Sequence, residues 1–232
     1  MDSTRAPESL IIDGAALPPM AFRLPHGMHA IEVSLAADER AEAARQLVRD
    51  IYPQGEESLW ESMGSLYSAM ADEMLASGVG FFGIGLYEIE DGGGVAHCSL
   101  TVAVFESGET DQDVVAQGIQ ALMLGDPLRE VTWLDLPCGP AVCGVTFQKL
   151  LVDGAYTKSS QDEELVMGQI QVHVPFSTGP YTAVFTLDTA SVEQWDEFSH
   201  AVAGIVGSVE FPSPAGAEGA AQPIASNSSV EK

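Results

Sequence analysis

A chain of 232 residues with 34 Asp and Glu against 9 Lys and Arg has a formal net charge of −25, which repels phosphate backbones and anionic lipid surfaces and argues against nucleic-acid and membrane partners. Hydrophobic residues at 46% suffice for a packed core, and no apolar run approaches the ~20 residues that cross a bilayer. Three cysteines in this length make no disulfide framework, and the opening MDSTRAPESL has one Arg and no apolar stretch of the secretory kind, so a cytoplasmic protein is expected.

The charge is unevenly spread. From Asp50 to Leu128, 79 residues hold 14 acids and no Lys or Arg. A basic or neutral protein surface suits such a stretch, although the same acidity also serves solubility without marking any site. The Lys-poor, Ala/Gly/Val-rich usage is similar to that of high-GC actinobacteria.

Residues 1–20, with Pro18-Pro19, read as a flexible leader. Phe22 to Pro25 and Ala30 to Leu35 are expected as an opening strand pair or one bent strand, broken at Gly27. Asp38 offers a cap for a helix whose stripe is Ala44, Leu47, Val48 and Ile51, stopped by Pro53-Gln54-Gly55. A second helix over about 56–77 carries Leu59, Met63, Leu66, Met70, Met74 and Leu75 at helical spacing, with Trp60 and Tyr67 on its shoulder. Three methionines on one stripe suit an adaptable peptide-binding face, and equally an ordinary core.

At Gly78-Val79 the pattern switches to period two. Val79 to Glu90 and Val95 to Glu106 are expected as a hairpin around Asp91-Gly92-Gly93-Gly94. Gly80, Gly83 and Gly85 do not follow the order of a phosphate loop, which leaves a strand to open a helix; a close approach within a sheet explains them. A third helix follows over 111–124, capped by Asp111 or Thr110. A second hairpin joins Arg129–Leu136 to Ala141–Val152 through Pro137-Cys138-Gly139-Pro140. Leu165–Val174 then pairs with a strand starting at Tyr181.

The segment Pro180 to Pro212 reads as strand, amphipathic helix and short closing strand. Tyr181 to Leu187 alternates, and Asp188-Thr189 or Ser191 with Gln194 supplies N-cap chemistry. Val192, Trp195, Phe198, Val202 and Ile205 form one stripe, expected to bury Trp195 and Phe198 on the sheet, with Gly207 as C-cap. The tail 212–232 is expected to be disordered. A single domain over 21–211 results, of α+β class: a mainly antiparallel β-sheet with helices packed on its faces.

Two patterns, Phe22-Arg23-Leu24-Pro25 at the start and TLDTASVEQWDEFSHAVAGIVGSVEF at the end, with Trp195 and Phe198 three apart before Ser208 to Phe211, resemble the Mog1/PsbP-like group. The resemblance implies an antiparallel sheet flanked by helices. Because the group consists mainly of binding and assembly factors without a shared catalytic set, it also implies an accessory role; no functional residue carries over.

Candidate chemistry is sparse. His26 and His29 lie in a Pro-Gly loop and strand rather than on a helix. His97 and Cys98 point to opposite faces of a strand, His173 sits inside an alternating strand, and His200 lies off its helix's apolar stripe. Cys138 and Cys143 flank a turn; a zinc site needs four ligands and only this one pair exists, so they read as small core or turn residues, with a redox clip as the alternative. Tyr52 with Glu56 and Tyr87 with Asp91 match a tyrosine-x-x-x-acid secretion pattern that acidic chains meet by chance, and the tryptophan-x-glycine partner is missing. No nucleophile elbow or Gly-Lys-Ser/Thr loop occurs. Neither catalytic, cofactor-binding nor metal residues are therefore expected, and the chain reads as a non-enzymatic protein-interaction or chaperone-like module. The alternative is a small-molecule-binding protein or enzyme with a pocket between sheet and helices.

Overall fold

Among the described residues, seven strands form one sheet: β3 (Met28–Ile31), β4 (Val79–Ile89), β5 (Gly94–Glu106), β6 (Glu130–Leu136), β7 (Gly139–Val152), β8 (Glu163–Pro175) and β9 (Tyr181–Thr189). Their order across it is β3-β4-β5-β9-β8-β7-β6, every neighbouring pair antiparallel. The helices are α1 (Ala37–Ile51), α2 (Glu57–Ala76), α3 (Gln112–Met123) and α4 (Trp195–Gly207), and a small ladder joins β1 (Ile11–Ile12) to β2 (Ala15–Ala16). This computed structural model describes residues 11–12, 15–16, 18–31, 33, 35–89, 94–154 and 159–212. The Asp91–Gly93 turn, part of the 153–163 loop and the tail from 213 lie outside them. The fold is α+β, as the alternation of periods two and 3.6 requires.

Opposed residues in an antiparallel ladder share a face, so the register divides the sheet cleanly. On one face, Leu100, Leu187 and Ile170 lie in one row and Val102, Phe185 and Val172 in the next. Phe198, Val202, Ile205 and Val206 of α4 cover them, with Phe198 only 1% exposed. Met20 and Phe22 enter the same core. The Phe22 ring meets Phe81 and Phe185 edge-on, both at 5.3 Å. Each such buried side chain contributes roughly 1.5–3 kcal/mol.

Among the described residues, helices cover the opposite face at its two ends. Above β3 and β4, α1 and α2 enclose Val33, Leu47, Ala71 and Phe82. Above β6 to β8, α3 encloses Ala116, Met123 and Val142. Arg40, buried in α1, ties its end together: Nε and Nη2 donate to Asp72 Oδ1 of α2 at 3.1 and 2.6 Å, while Nη1 donates to the carbonyls of Val33 and Leu35.

Several local expectations give way to tertiary packing. Phe22–Pro25 is not a strand; Ala21 makes one bridge, to Glu210, so the expected closing strand is reduced to the same bridge. Ala36, not Asp38, caps α1, and its N–H donates to Glu39 Oε2 at 3.4 Å. The buried stripe of α2 runs through Gly64 and Ala71 with Met63, Tyr67, Met70 and Met74 half-buried, while Leu59, Leu66 and Leu75 are exposed. Gly64 turns that stripe, since a Cβ there would lie 2.8 Å from Arg45 Cγ of α1. Asp188 and Thr189 remain in β9. Thr189 Oγ1 donates to the His97 carbonyl at 2.7 Å, and a 3-10 turn over Val192–Gln194 precedes α4. Ser208 rather than Gly207 closes α4.

Trp195 is half-buried rather than enclosed. Gly168 of β8 leaves the space for its ring (a Cβ would lie 2.5 Å from it), and the ring centroid stands 4.6 Å from that of Phe147. Among the described residues, no helix is long and apolar enough to cross a membrane.

Candidate functional site

Between the α1/α2 block and α3, the opposite face of the sheet presents polar side chains in two adjacent rows. Gln169, Asp188 and Ser99 stand opposite one another on β8, β9 and β5; Gln171, Thr186 and Thr101 form the row beside them. All six are half-buried. Gln169 Nε2 donates to Asp188 Oδ1 at 2.9 Å, and Gln171 Nε2 lies 3.4 Å from Thr186 Oγ1. The sequence signal is the alternation Gln169-Ile170-Gln171-Val172-His173-Val174, whose polar set faces this strip while its apolar set enters the α4 core. Sequence reasoning missed the strip because both sets suit a strand, and only the register brings three strands' polar sets together.

Gln171 is the hub. Arg129, arriving on the turn after α3, places Nη1 2.8 Å from Gln171 Oε1, and His173 Nε2 lies 3.1 Å from the same oxygen. Arginine only donates, so Gln171 must present its oxygen there, and His173 must donate Nε2–H to it. That fixes the tautomer and leaves His173 Nδ1 as a buried acceptor with no hydrogen-bond partner among the described residues. Burial, assisted by the Arg129 charge, holds the His173 pKa down at about 4. The ring is therefore neutral near pH 7 and serves as a hydrogen-bonding group rather than a proton carrier. Two further hydroxyls on this face, Thr146 (5% exposed) and Thr182 (fully buried), also lack partners among the described residues.

The other titratable candidates do not converge. His26 and His200 are exposed, and His200 Nδ1 is 2.6 Å from the Asp196 carbonyl. His29 lies in the edge strand β3. His97 meets Ser191, with Nδ1 3.4 Å from its Oγ. Cys98 is buried beside Gly85 and Tyr87, and burial pushes its thiol up to about 11. Cys143 stands opposite Thr132, not opposite Cys138, which occupies the turn. Four extended steps from Gly139 to Cys143 span about 13 Å, far beyond the ~7 Å limit for a disulfide, so the two do not clip the hairpin. Tyr52 caps α1 and is exposed, and Asp91 lies outside the described residues. Among the described residues, no three His, Cys, Asp or Glu side chains are placed to hold a metal ion.

Besides Leu59, Leu66 and Leu75 of α2, two apolar surfaces stand out among the described residues. Val114, Gly118 and Leu122 follow at four-residue spacing along the outside of α3, and Leu124 and Leu128, just beyond it, are exposed as well. Leu122 and Leu128 are 81% and 80% exposed. The second surface is the far end of β7, with Phe147, Leu150 and Leu151. The methionines of α2, by contrast, are half-buried against the core beneath it and form no open face. Between α1 and α2 lies a shallow groove of ≈ 280 Å³ lined by Arg45, Ser65, Ser68 and Asp72.

No protein-family profile matches this chain, and neither a curated protein nor a solved structure matches it significantly.

Proposed function

We propose that this chain is a soluble, cytoplasmic, non-enzymatic accessory module, Mog1/PsbP-like in layout, that binds another protein through the outer side of α3. One observation carries the reading: Val114 and Leu122 on the outside of α3, and Leu124 and Leu128 just beyond it, stand in water with Asp113, Asp126 and Glu130 as sequence neighbours. Scattered exposed leucines are ordinary, but a run of them along one helix and its exit turn forms a patch that a partner's apolar surface would cover. The carboxylate rim selects a partner whose own patch is edged by Lys or Arg, and steers its approach at low salt. The expected outcome is a partner captured by the wild-type chain at low ionic strength and lost with Leu122→Asp/Leu128→Asp. Equal capture by both proteins would remove the proposal.

The polar strip supports a second reading, a small-molecule-binding protein. An occupant would have to donate an N–H or O–H to His173 Nδ1 and meet the amides of Gln169 and Gln171. Uncharged polyols and amides have that chemistry. Titrating such compounds while following the ring resonances of His173 by NMR is expected to move them saturably if this reading holds; unmoved resonances at high concentration exclude it for that class.

A further inference from the structure

We infer that two copies of this chain join edge to edge through the overhanging end of β7. β6 pairs with β7 only from Gly139 to Val145, where Glu130 stands opposite Val145. β7 itself continues to Val152, paired on its other side with β8 down to Glu163. Residues 146–152 therefore have a ladder on one side, and among the described residues no strand lies on the other. An open strand edge of seven residues presents alternate N–H and C=O groups, a template for another strand. Its side chains suit burial rather than solvent: Leu151 is 74% exposed, Phe147 51%, and Leu150 also stands out in water.

The occupant follows from charge. In a chain of net charge −25, two copies repel wherever their acidic surfaces meet. Between Asp135 and Asp153 the 17 intervening residues contain no Asp or Glu, and their one charge, Lys149, is held by Glu164 at 2.6 Å. The free edge carries no carboxylate and its lysine is neutralised by Glu164, so two such chains can touch there without acidic side chains in the seam. The notch is also self-complementary. Read antiparallel across a two-fold axis, 146–152 of each copy fills the other's gap between the start of β6 and the arm tip, placing Leu151 against Phe147 and Leu150 against Gln148 of the second copy. The surface is distinct from the α3 patch, so the proposed protein-binding role and this pairing can fail separately.

Sedimentation equilibrium of the full chain over a concentration series tests the pairing. A reversible monomer–dimer equilibrium is expected, with Leu151→Asp weakening it at least ~10-fold and Leu122→Asp leaving it unchanged. Leu151 is exposed, so the variant's circular dichroism should match that of the wild type. Amide exchange supplies a second readout: peptides spanning 146–152 should gain protection as the protein is concentrated, while those of α3 do not. A single monomeric species at all concentrations, a dimer indifferent to Leu151→Asp, or unchanged exchange in 146–152 would each overturn the inference.

Discussion

His173 concentrates the energetic interest of the polar strip in one side chain. Its folded pKa, near 4, lies below the ordinary 6.5 because burial and the nearby Arg129 oppose the imidazolium. Between those two values the unfolded chain binds a proton that the folded chain refuses, so the contribution to stability is whole above about pH 6.5 and is lost as pH falls towards 4. The full shift corresponds to about 3–4 kcal/mol. Wild type and His173→Gln should therefore differ in the slope of stability against pH in that window, the variant being the flatter. Urea unfolding at several pH values measures it, and parallel slopes would place the desolvation elsewhere. The numerous carboxylates titrate in the same range, which is why the comparison must be between the two proteins. Gln171 matters through the same geometry: Arg129 and His173 share its oxygen, at 2.8 and 3.1 Å, and lose their common acceptor if it becomes Leu.

At the scale of elements, the sequence was most legible where a local signal and the tertiary environment agree. β9 reads as a strand from Tyr181 onward because both alternating sets are β-formers, and α3 is capped as its Asp111 suggests, with Oδ1 accepting from the amides of Asp113 and Val114 at 3.0 and 3.3 Å. Legibility fails where one signal serves two structures. Asp188 has cap chemistry, but Gln169 across the ladder takes its carboxylate, and the register extends β9 past it to Thr189. The apolar positions of α2 outnumber the width of one buried stripe, so spacing alone could not choose between the Leu59–Leu66 side and the Tyr67–Ala71 side. The choice was made by two small residues, Gly64 and Ala71, which let α1 approach. Phe22 was legible as apolar and illegible as coil, because it is fixed by three-dimensional contacts with Phe81 and Phe185 rather than by a strand partner. The polar strip was invisible for a related reason, since no single strand contains it.

The whole molecule is governed by an excess of carboxylates that its few cations cannot offset. Arg40, Arg45, Arg49, Arg129 and Lys149 are each already paired with an acid, at separations from 2.6 to 3.8 Å, and the 79-residue stretch from Asp50 to Leu128 has no cation of its own. Most of these pairs are exposed on at least one side, where an ion pair is worth about 0–1 kcal/mol and is weakened by salt. Self-repulsion of the excess charge acts over longer distances and opposes the compact state. Raising NaCl shortens the screening length from about 10 Å at 0.1 M to about 3 Å at 1 M, and so removes both effects together. With a net charge of −25 the repulsive sum is the larger, so added NaCl should raise the thermal midpoint, by roughly 2–4 °C for each kcal/mol of repulsion relieved. The same screening should tighten the β7–β7 pairing, since whatever like charge surrounds the neutral seam is then felt less. Scanning calorimetry at a protein concentration low enough to keep the chain monomeric separates the two effects. A midpoint that falls with NaCl under those conditions would mean that the five pairs outweigh the excess, and that the acidic surface is electrostatically compensated in a way its composition conceals.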